Sequence, residues 1–316
     1  MKNLDKEIQL LNKQIQPIIK WTGSKKSQAS YIVEMFPYNI KTYYEPFVGS
    51  GSVLIKLLQF IEYKQISVDN IQCSDLNEDL INCWNLIKDD KDYLLEKYKE
   101  LYNQFSILDY QGKKDFYNNI RNNFNKWKLL NNHQNIDEAT SWFFWLRRTS
   151  FNGLVRYNSK GELNTSCHFT RNGILPEKLK PLLDYWSDKL NKYNVKFKCC
   201  SYLDLGNDFD YNDFLYLDPP YMKSNGMYFS EDFNQKVFFN WLNKCKKAYW
   251  ALSYDGIAGN KDFIYDIKNE LKYDTHLYLK SGNSSFRRLK NLGNINVKES
   301  LYIKGNYSKV DFLFQN

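Results

Sequence analysis

The sequence predicts an α/β protein built on a doubly wound, mainly parallel sheet that a long insertion interrupts. Two consecutive strand–turn–helix units, over 42–61 and 66–87, open the body of the chain. Such repeats are typical of parallel sheets with helices on both faces. Strand signals then stop near residue 90 and return after residue 175. Because ordinary loops have about 4–6 residues, the intervening segment is predicted to be a second domain.

Hydrophobic spacing predicts the helices before and within the insertion. Apolar residues at helical intervals indicate a short amphipathic helix over 4–15 and another over 27–36, which Pro37 ends. Helices are also predicted over 92–104 and 137–148. The later elements are a helix over 176–193 and strands over 194–200, 213–221, 248–255, 275–282 and 299–305.

These elements divide the chain into two domains. Residues 1–88 and 176–316 are expected to form the sheet domain, and residues 89–175 the inserted, mainly helical domain. The insertion ends in a segment with the turn signal Asn-Ser-Lys-Gly, which predicts a hairpin or an extended loop over 150–166.

Composition excludes several classes of protein. The 316 residues carry a formal net charge of +8, which favours a polyanionic partner such as DNA or RNA, although a basic surface alone has the same charge. No segment has the roughly 18–20 apolar residues of a membrane span, and the N-terminus lacks the apolar core of a secretory signal. Six cysteines without a C-x-x-C pair and three histidines predict reduced thiols, a cytoplasmic location and no metal site.

The first motif is a glycine-rich turn between a strand and a helix, with Phe47, Gly49 and Gly51. Glycines there let a ligand approach the backbone closely. Asp75 ends the next strand, where a carboxylate can accept both hydroxyls of a ribose, or cap the following helix. A nicotinamide-dependent oxidoreductase remains an alternative, disfavoured because Leu54 stands at the third glycine position of the dinucleotide motif.

The second motif, Asp218-Pro219-Pro220-Tyr221, follows an apolar strand. The carboxylate and the Pro219 carbonyl are acceptors, the prolines hold them in place, and the Tyr221 ring offers a stacking face. Together they can clamp an exocyclic amino group on a planar ring. An ordinary Asp-Pro turn that ends the strand is the structural alternative.

Two further segments are weaker signals taken alone. Residues 148–164 combine Arg and Asn, which bind base edges, with apolar residues that can insert between bases. A charged hairpin with inward-facing aromatic residues would have the same composition. Trp21 and Lys25 could bind a cofactor, or could be a core tryptophan beside an exposed lysine.

Taken in order, these motifs resemble one family, the Dam-type, D12-class DNA adenine-N6 methyltransferases. The matching segments are KWTGSK, EPFVGSGSV, DLNEDLI, FNGLVRYNSKGELN and DPPY, and VKESLYIKGNY resembles the closing hairpin. The resemblance extends from Lys20 to about Tyr307. It departs from the family at Thr22 and Ser24, and at Thr165 and Ser166, where many relatives have a base-contacting proline.

The resemblance implies a Rossmann-like, S-adenosylmethionine-dependent methyltransferase sheet and assigns roles to residues. Those that bind S-adenosylmethionine would be Trp21, Lys25, Phe47, Gly49, Gly51, Asp75 and Asp218. The catalytic residues would be Asp218, Pro219, Pro220 and Tyr221. The DNA contacts would be Phe151, Asn152, Leu154 and Arg156, with Arg148 on a phosphate.

The predicted activity is transfer of a methyl group from S-adenosylmethionine to N6 of an adenine flipped out of double-stranded DNA. A restriction–modification system is one expected setting, with any restriction endonuclease acting separately rather than in a complex. The alternative is a non-catalytic DNA-binding or specificity subunit on the same scaffold.

Overall fold

The structure is a computed structural model. It describes residues 17–130, 134–153, 155–220, 233–258, 261–262, 267–283 and 296–305. The amphipathic helix expected over 4–15 lies outside these residues. Among the described residues, no helix is both long and apolar enough to cross a membrane.

The sheet has a parallel half and an antiparallel edge. The parallel strands are β1 (Asn39–Glu45), β2 (Ser67–Asp75), β3 (Lys196–Cys199), β4 (Phe214–Leu217) and β5 (Tyr249–Ala258). The antiparallel strands are β6 (Lys261–Asp262), β7 (Thr275–Asn283) and β8 (Asn296–Lys304). The order is β3-β2-β1-β4-β5-β8-β7, with β6 paired to β5. The predicted fold class is confirmed.

Helices cover the sheet and form the insertion. They are α1 (Ala29–Glu34), α2 (Ser52–Glu62), α3 (Glu78–Asp89), α4 (Lys91–Ser106), α5 (Tyr110–Leu129), α6 (Ile136–Thr149), α7 (Pro176–Lys192) and α8 (Gln235–Lys244). Sequence reasoning missed α5, because its many Asn residues obscure the apolar period. Its buried residues, Tyr117, Ile120 and Phe124, nevertheless recur at helical spacing.

The insertion shares a hydrophobic core with the sheet domain. Phe144 and Trp145 of α6 belong to the same buried cluster as Leu57 of α2 and Ile81 of α3. A separately folding insertion would instead bury its own apolar cluster. Because the core continues across residues 88 and 176, packing does not mark a domain boundary at either position. The division into two domains therefore stays a prediction, based on the expected functions of the two parts.

Residues 150–153 and 155–166 form a loop that begins with a 3₁₀ turn, Phe151–Gly153, and is hereafter called the recognition loop after the role that the resemblance implies. Its strand pairing is limited to isolated bridges, Ser150 with Cys167 and Tyr157 with Leu163. Two backbone hydrogen bonds close the loop, from the Asn158 N–H to the Glu162 carbonyl and from the Asn164 N–H to the Arg156 carbonyl, both at 2.9 Å. Asn125 of α5 also accepts from the Leu163 N–H at 2.8 Å and donates to its carbonyl at 3.0 Å. The loop is thus closed by its own backbone and fixed to the helix beneath it.

The sheet order positions a site at one edge. The chain moves from β1 outward to β2 and β3, then returns to place β4 on the other side of β1. At such a switch point, the connections after adjacent strands diverge to opposite faces and leave a crevice. The turn after β1 and the residues after β2 and β4 therefore surround one opening.

The turn after β1 depends on glycine at position 51. Gly51 has φ +64°, and a Cβ there would lie 2.9 Å from Trp84 and 3.1 Å from Trp186. We expect Gly51→Ala to lower the free energy of unfolding by about 2–4 kcal/mol, because backbone strain and overpacking add.

Gly161→Ala is the matched control, since Gly161 also has positive φ, +76°, but open space around a new Cβ. Urea unfolding measures the free energy of unfolding of both variants. The difference between their losses is the steric contribution of the tryptophan contact. Equal losses of stability would show that the tryptophan contact contributes nothing.

Candidate active site

A cavity of about 970 Å³ opens at this edge of the sheet. Its lining includes residues from each of the predicted cofactor and catalytic motifs, over 21–25, 47–50, 52–53, 75–78 and 218–220, but not the predicted cofactor residue Gly51. The motifs lie far apart in the sequence, and the parallel strands bring them together. A cavity of this size can hold a nucleoside-containing molecule with a second planar group beside it.

Tryptophan side chains determine the shape of the glycine-rich turn. Gly49 has φ +48°, and a Cβ there would lie 3.0 Å from Cδ1 of Trp21. The Trp84 indole N–H donates to the Gly49 carbonyl at 3.1 Å. The turn is consequently held open towards the cavity, with the Trp21 ring against its backbone.

Asp75 faces the cavity from the end of β2. Its Oδ2 accepts from the Gly49 N–H and its Oδ1 from the Asn77 N–H, both at 3.1 Å. The helix cap is Asn77, whose side chain accepts from the Leu80 N–H, so Asp75 is not the cap of α3. Desolvation raises the pKa of Asp75 to about 6, against the opposing effect of the backbone N–H donors.

Lys25, Asp218 and Glu299 form an ion cluster around the buried Lys25 ammonium group at one end of the cavity. The Lys25 Nζ lies 2.8 Å from Asp218 Oδ1, 3.5 Å from Glu299 Oε2 and 3.1 Å from the Gly23 carbonyl. Burial lowers the pKa of Lys25, but the two carboxylates outweigh it and raise the pKa. The structure thus places Lys25 beside the predicted catalytic carboxylate, and its contact with a cofactor stays a prediction.

Glu45, at the end of β1, is a second buried carboxyl group on the cavity surface. Burial raises its pKa to about 8, although the Tyr43 hydroxyl, which donates to Oε2 at 2.8 Å, opposes the shift. Glu45 is therefore protonated at neutral pH. Sequence reasoning did not single it out, because nothing local distinguishes it from a residue that ends a strand.

Aromatic residues form the opposite side of the cavity. The Phe47 ring packs against Tyr202 at 5.7 Å, Phe238 at 6.0 Å and Phe233 at 6.2 Å between centroids. Residues 201–203, after β3, also line the cavity and were missed by sequence reasoning. The convergence of parallel strand ends was a signal that could have identified them.

The predicted catalytic motif reaches the cavity directly after β4. Pro219 and Pro220 line it beside Asp218. Tyr221, the predicted stacking residue, lies outside the described residues. The part of the motif that the structure describes therefore lines the cavity, and the clamp stays a prediction.

The recognition loop presents two of the predicted DNA residues to solvent. Phe151 is 42% exposed and stacks on His168, with centroids 5.4 Å apart. Arg156 is exposed and donates to Asn164 Oδ1 at 2.7 Å. Leu154 and the side chain of Asn152 lie outside what the structure describes.

Arg148 requires a correction. It is 8% exposed, and its Nη1 donates to the Ile18 carbonyl at 2.8 Å. A guanidinium enclosed in this way supports the backbone before the Trp21 segment and is not presented to solvent, where a phosphate would meet it. The sequence could not show this, because Arg148 and Ile18 meet only in the folded chain.

A polar link connects the recognition loop with the cofactor motifs. The Tyr157 hydroxyl donates to Asp79 Oδ2 at 2.7 Å and accepts from Asn77 Nδ2 at 3.1 Å. Lys128 of α5 forms an ion pair with the same Asp79 carboxylate and lies over the Tyr157 ring at 5.1 Å. The loop, the insertion and α3 are thus joined at the rim of the cavity.

Among the residues that the structure describes, no group of three or more His, Cys, Asp or Glu side chains could hold a metal ion.

Sequence similarity to known proteins indicates a DNA methyltransferase. The sequence profile of the D12 class N6 adenine-specific DNA methyltransferases matches residues 21–286. M.MjaIII, a type II methyltransferase of Methanocaldococcus jannaschii, is 37% identical over 221 residues, 67% of this chain and 71% of that protein.

Two bacterial proteins are also similar. M1.LlaDCHI, a type II methyltransferase of Lactococcus lactis, is 27% identical over 66% of each chain. The DNA adenine methylase of Haemophilus influenzae is 30% identical over 65% of this chain and 64% of its own. The match thus spans about two thirds of the length of these relatives.

The protonated Glu45 generates a prediction for stability. Its folded pKa, about 8, lies above the ordinary 4.5, so the folded state keeps a proton that the unfolded chain releases. Stability contributed by this group therefore falls as pH rises between those values. We expect Glu45→Gln, which keeps the acceptor for Tyr43, to be increasingly more stable than the wild type from pH 5 to 8, by a few kcal/mol at the upper end.

Urea unfolding of both proteins at several pH values checks this. A difference in stability that stays constant from pH 5 to 8 would contradict a protonated Glu45.

Proposed function

The chain belongs to the D12 class of N6 adenine-specific DNA methyltransferases, and we propose that its cavity binds S-adenosylmethionine beside an adenine flipped out of duplex DNA. One observation carries the proposal. Asp218 and Pro219 line the same cavity as Asp75 and residues of the glycine-rich turn. A methyl donor and an amino group can therefore occupy one enclosed space.

The cavity residues fit S-adenosylmethionine by their chemistry. Asp75 supplies a carboxylate for the ribose hydroxyls, and Trp21 and Phe47 supply aromatic surface. The carboxylates of Asp218 and Glu299 lie at one end of the cavity, where negative charge suits a sulfonium cation. When bound, S-adenosylmethionine supplies an activated methyl group, so the protein's task is chiefly positioning.

Asp218 and the Pro219 carbonyl act on the adenine amino group. Accepting its two N–H protons draws the N6 lone pair out of conjugation with the ring and directs it towards the methyl group. Both acceptors also stabilise the positive charge that develops on N6. The prolines keep this geometry because their φ angles are fixed and they have no N–H. Stacking of the adenine on Tyr221 remains a prediction from the sequence.

DNA recognition is assigned to the recognition loop within the inserted domain, 89–175. The exposed Phe151 is suited to fill the gap left by the flipped base, and Arg156 to contact a base edge. Asn152 and Leu154 are proposed as further contacts. Residues 1–88 and 176–316 form the proposed catalytic domain.

A restriction–modification system is the proposed setting, with any endonuclease acting separately. The names of the two type II methyltransferases support this setting. A DNA substrate supports the proposed cytoplasmic location.

Methyl transfer should depend on the charge of Asp218. With labelled S-adenosylmethionine and unmethylated genomic DNA, we expect the wild type to form N6-methyladenine at one recurrent site. Asp218→Asn keeps the shape but loses the charge, so its transfer rate should fall at least about 100-fold.

Digestion to nucleosides and modification-sensitive sequencing identify the product. Binding of both cofactor and DNA by the wild type without transfer would favour the non-catalytic subunit instead. Label on cytosine would contradict the adenine assignment. Undiminished transfer by Asp218→Asn would contradict the catalytic role of the carboxylate.

Cofactor affinity should depend on the ionisation of Asp75. Ribose hydroxyls donate better to a carboxylate than to a carboxylic acid, and the pKa of Asp75 is about 6. We expect affinity for S-adenosylmethionine to fall as pH decreases through 6, and Asp75→Asn to bind about tenfold more weakly at pH 8.

Calorimetric titration of both proteins from pH 5 to 8 measures this. Ionisation of S-adenosylmethionine itself affects binding to both proteins equally. The ratio of their two affinities therefore reports the ionisation of Asp75. A ratio that does not change with pH would contradict the assignment.

A further inference from the structure

Phe151, the proposed gap-filling residue, rests on the imidazole ring of His168. Their ring centroids lie 5.4 Å apart, and the ring planes are inclined by 26°, which is a stacked arrangement. Phe151 is nevertheless 42% exposed, so the stack covers only part of its surface. An apolar ring that is supported on one side and open on the other is suited to insert between bases.

Backbone pairing places the two rings side by side. The Phe151 N–H donates to the Ser166 carbonyl at 2.9 Å, and the His168 N–H donates to the Thr149 carbonyl at 2.8 Å. An isolated antiparallel bridge lies between these two hydrogen bonds. Because alternate residues of paired segments point to the same face, positions 151 and 168 are diagonal neighbours on one face.

The surroundings of the stack are cationic. Burial lowers the pKa of His168, and the positive charges of Arg171 and Lys20 lower it further. Burial also lowers the pKa of Lys20, and neighbouring arginines add to the effect. In the part of the chain that the structure describes, neither Lys20 nor Arg171 forms an ion pair with a carboxylate. DNA phosphates would supply negative charge beside the stack.

We propose that His168 is a positioning residue for base flipping: its ring supports Phe151 and holds it in place for entry into the gap that the flipped adenine leaves. This inference rests on the proposed function. A phenylalanine side chain without such support has to be ordered when it inserts, and the loss of rotamer freedom opposes the flipped state. With His168 behind it, the Phe151 ring is ordered before DNA binds, so a larger fraction of bound DNA holds its adenine in the cavity.

Packing alone explains the stack poorly. Phe151 is exposed and His168 is half-buried, so their contact removes little apolar surface from water. The His168 Nδ1 also lies 3.2 Å from the Thr170 hydroxyl, a polar contact that orients the imidazole. Exposed rings beside cationic side chains are typical of surfaces that bind nucleic acid.

The test is the single-turnover rate of methyl transfer at saturating S-adenosylmethionine and DNA, on duplexes with the recurrent site that sequencing identifies. On a fully paired target, we expect His168→Ala to transfer about 3- to 10-fold more slowly, with a dissociation constant for DNA within about threefold of the wild type. His168→Phe keeps a ring behind Phe151 and should recover most of the rate.

A mismatched target separates base flipping from the other steps. A mismatched adenine leaves the base stack at a lower cost, so its flipped form dominates with or without His168. On a duplex with cytosine opposite the target adenine, we therefore expect the rates of the wild type and His168→Ala to agree within about twofold. A loss of rate caused by disturbed folding would be the same on both duplexes.

Tyr110→Ala is the matched control. Tyr110 is 64% exposed and stacks on Phe169 with centroids 4.6 Å apart. The variant thus also removes an exposed ring stack from the insertion, but it leaves Phe151 and His168 together, and it should transfer at the wild-type rate.

Four results would overturn the inference: a wild-type rate in folded His168→Ala on the paired target, an equal deficit on both duplexes, an equal deficit in Tyr110→Ala, or equal rates in the Ala and Phe variants at position 168. If His168→Ala does not fold, His168→Gln decides by the same comparison, because it removes the ring and keeps a polar group for Thr170. Failure of the wild type itself to methylate DNA would instead refute the proposed function.

Discussion

The buried ammonium group of Lys25 is the constraint on which the arrangement of the site depends. A charge removed from water costs several kcal/mol unless partners of opposite charge surround it. The partners here come from the end of β4 and from β8, so the N-terminal segment, the centre of the sheet and its antiparallel edge must meet at one point. The same contact that satisfies Lys25 orients the carboxylate of Asp218 towards the cavity.

A second constraint is steric and joins the cavity to the inserted helices. The turn through Gly49 and Gly51 lies against Trp21 on one side and against Trp84 and Trp186 on the other. Those two tryptophans belong to the core that continues into the insertion. The shape of the cofactor side of the cavity is therefore set partly by packing against the elements proposed to recognise DNA.

Polar contacts also connect the recognition loop with the cofactor side of the cavity. Tyr157 anchors the recognition loop to Asp79, while Asn77 bridges from Tyr157 back to Asp75. Phe151 and Arg156 consequently extend from a loop whose base is fixed to the cofactor motifs. A rigid base of this kind limits the distance over which a flipped adenine must be guided into the cavity.

The sequence by itself determined the strand–turn–helix units, the order of the motifs and the place of Asp218 after β4, because these depend on neighbouring residues and on where parallel strands end. Only the tertiary structure decided the burial of Arg148, the link through Tyr157 and the position of Glu299 beside Lys25. The physical reason is the same in each case. A side chain's charge, burial and partners depend on segments remote in sequence, and local periodicity carries no information about which remote segments meet.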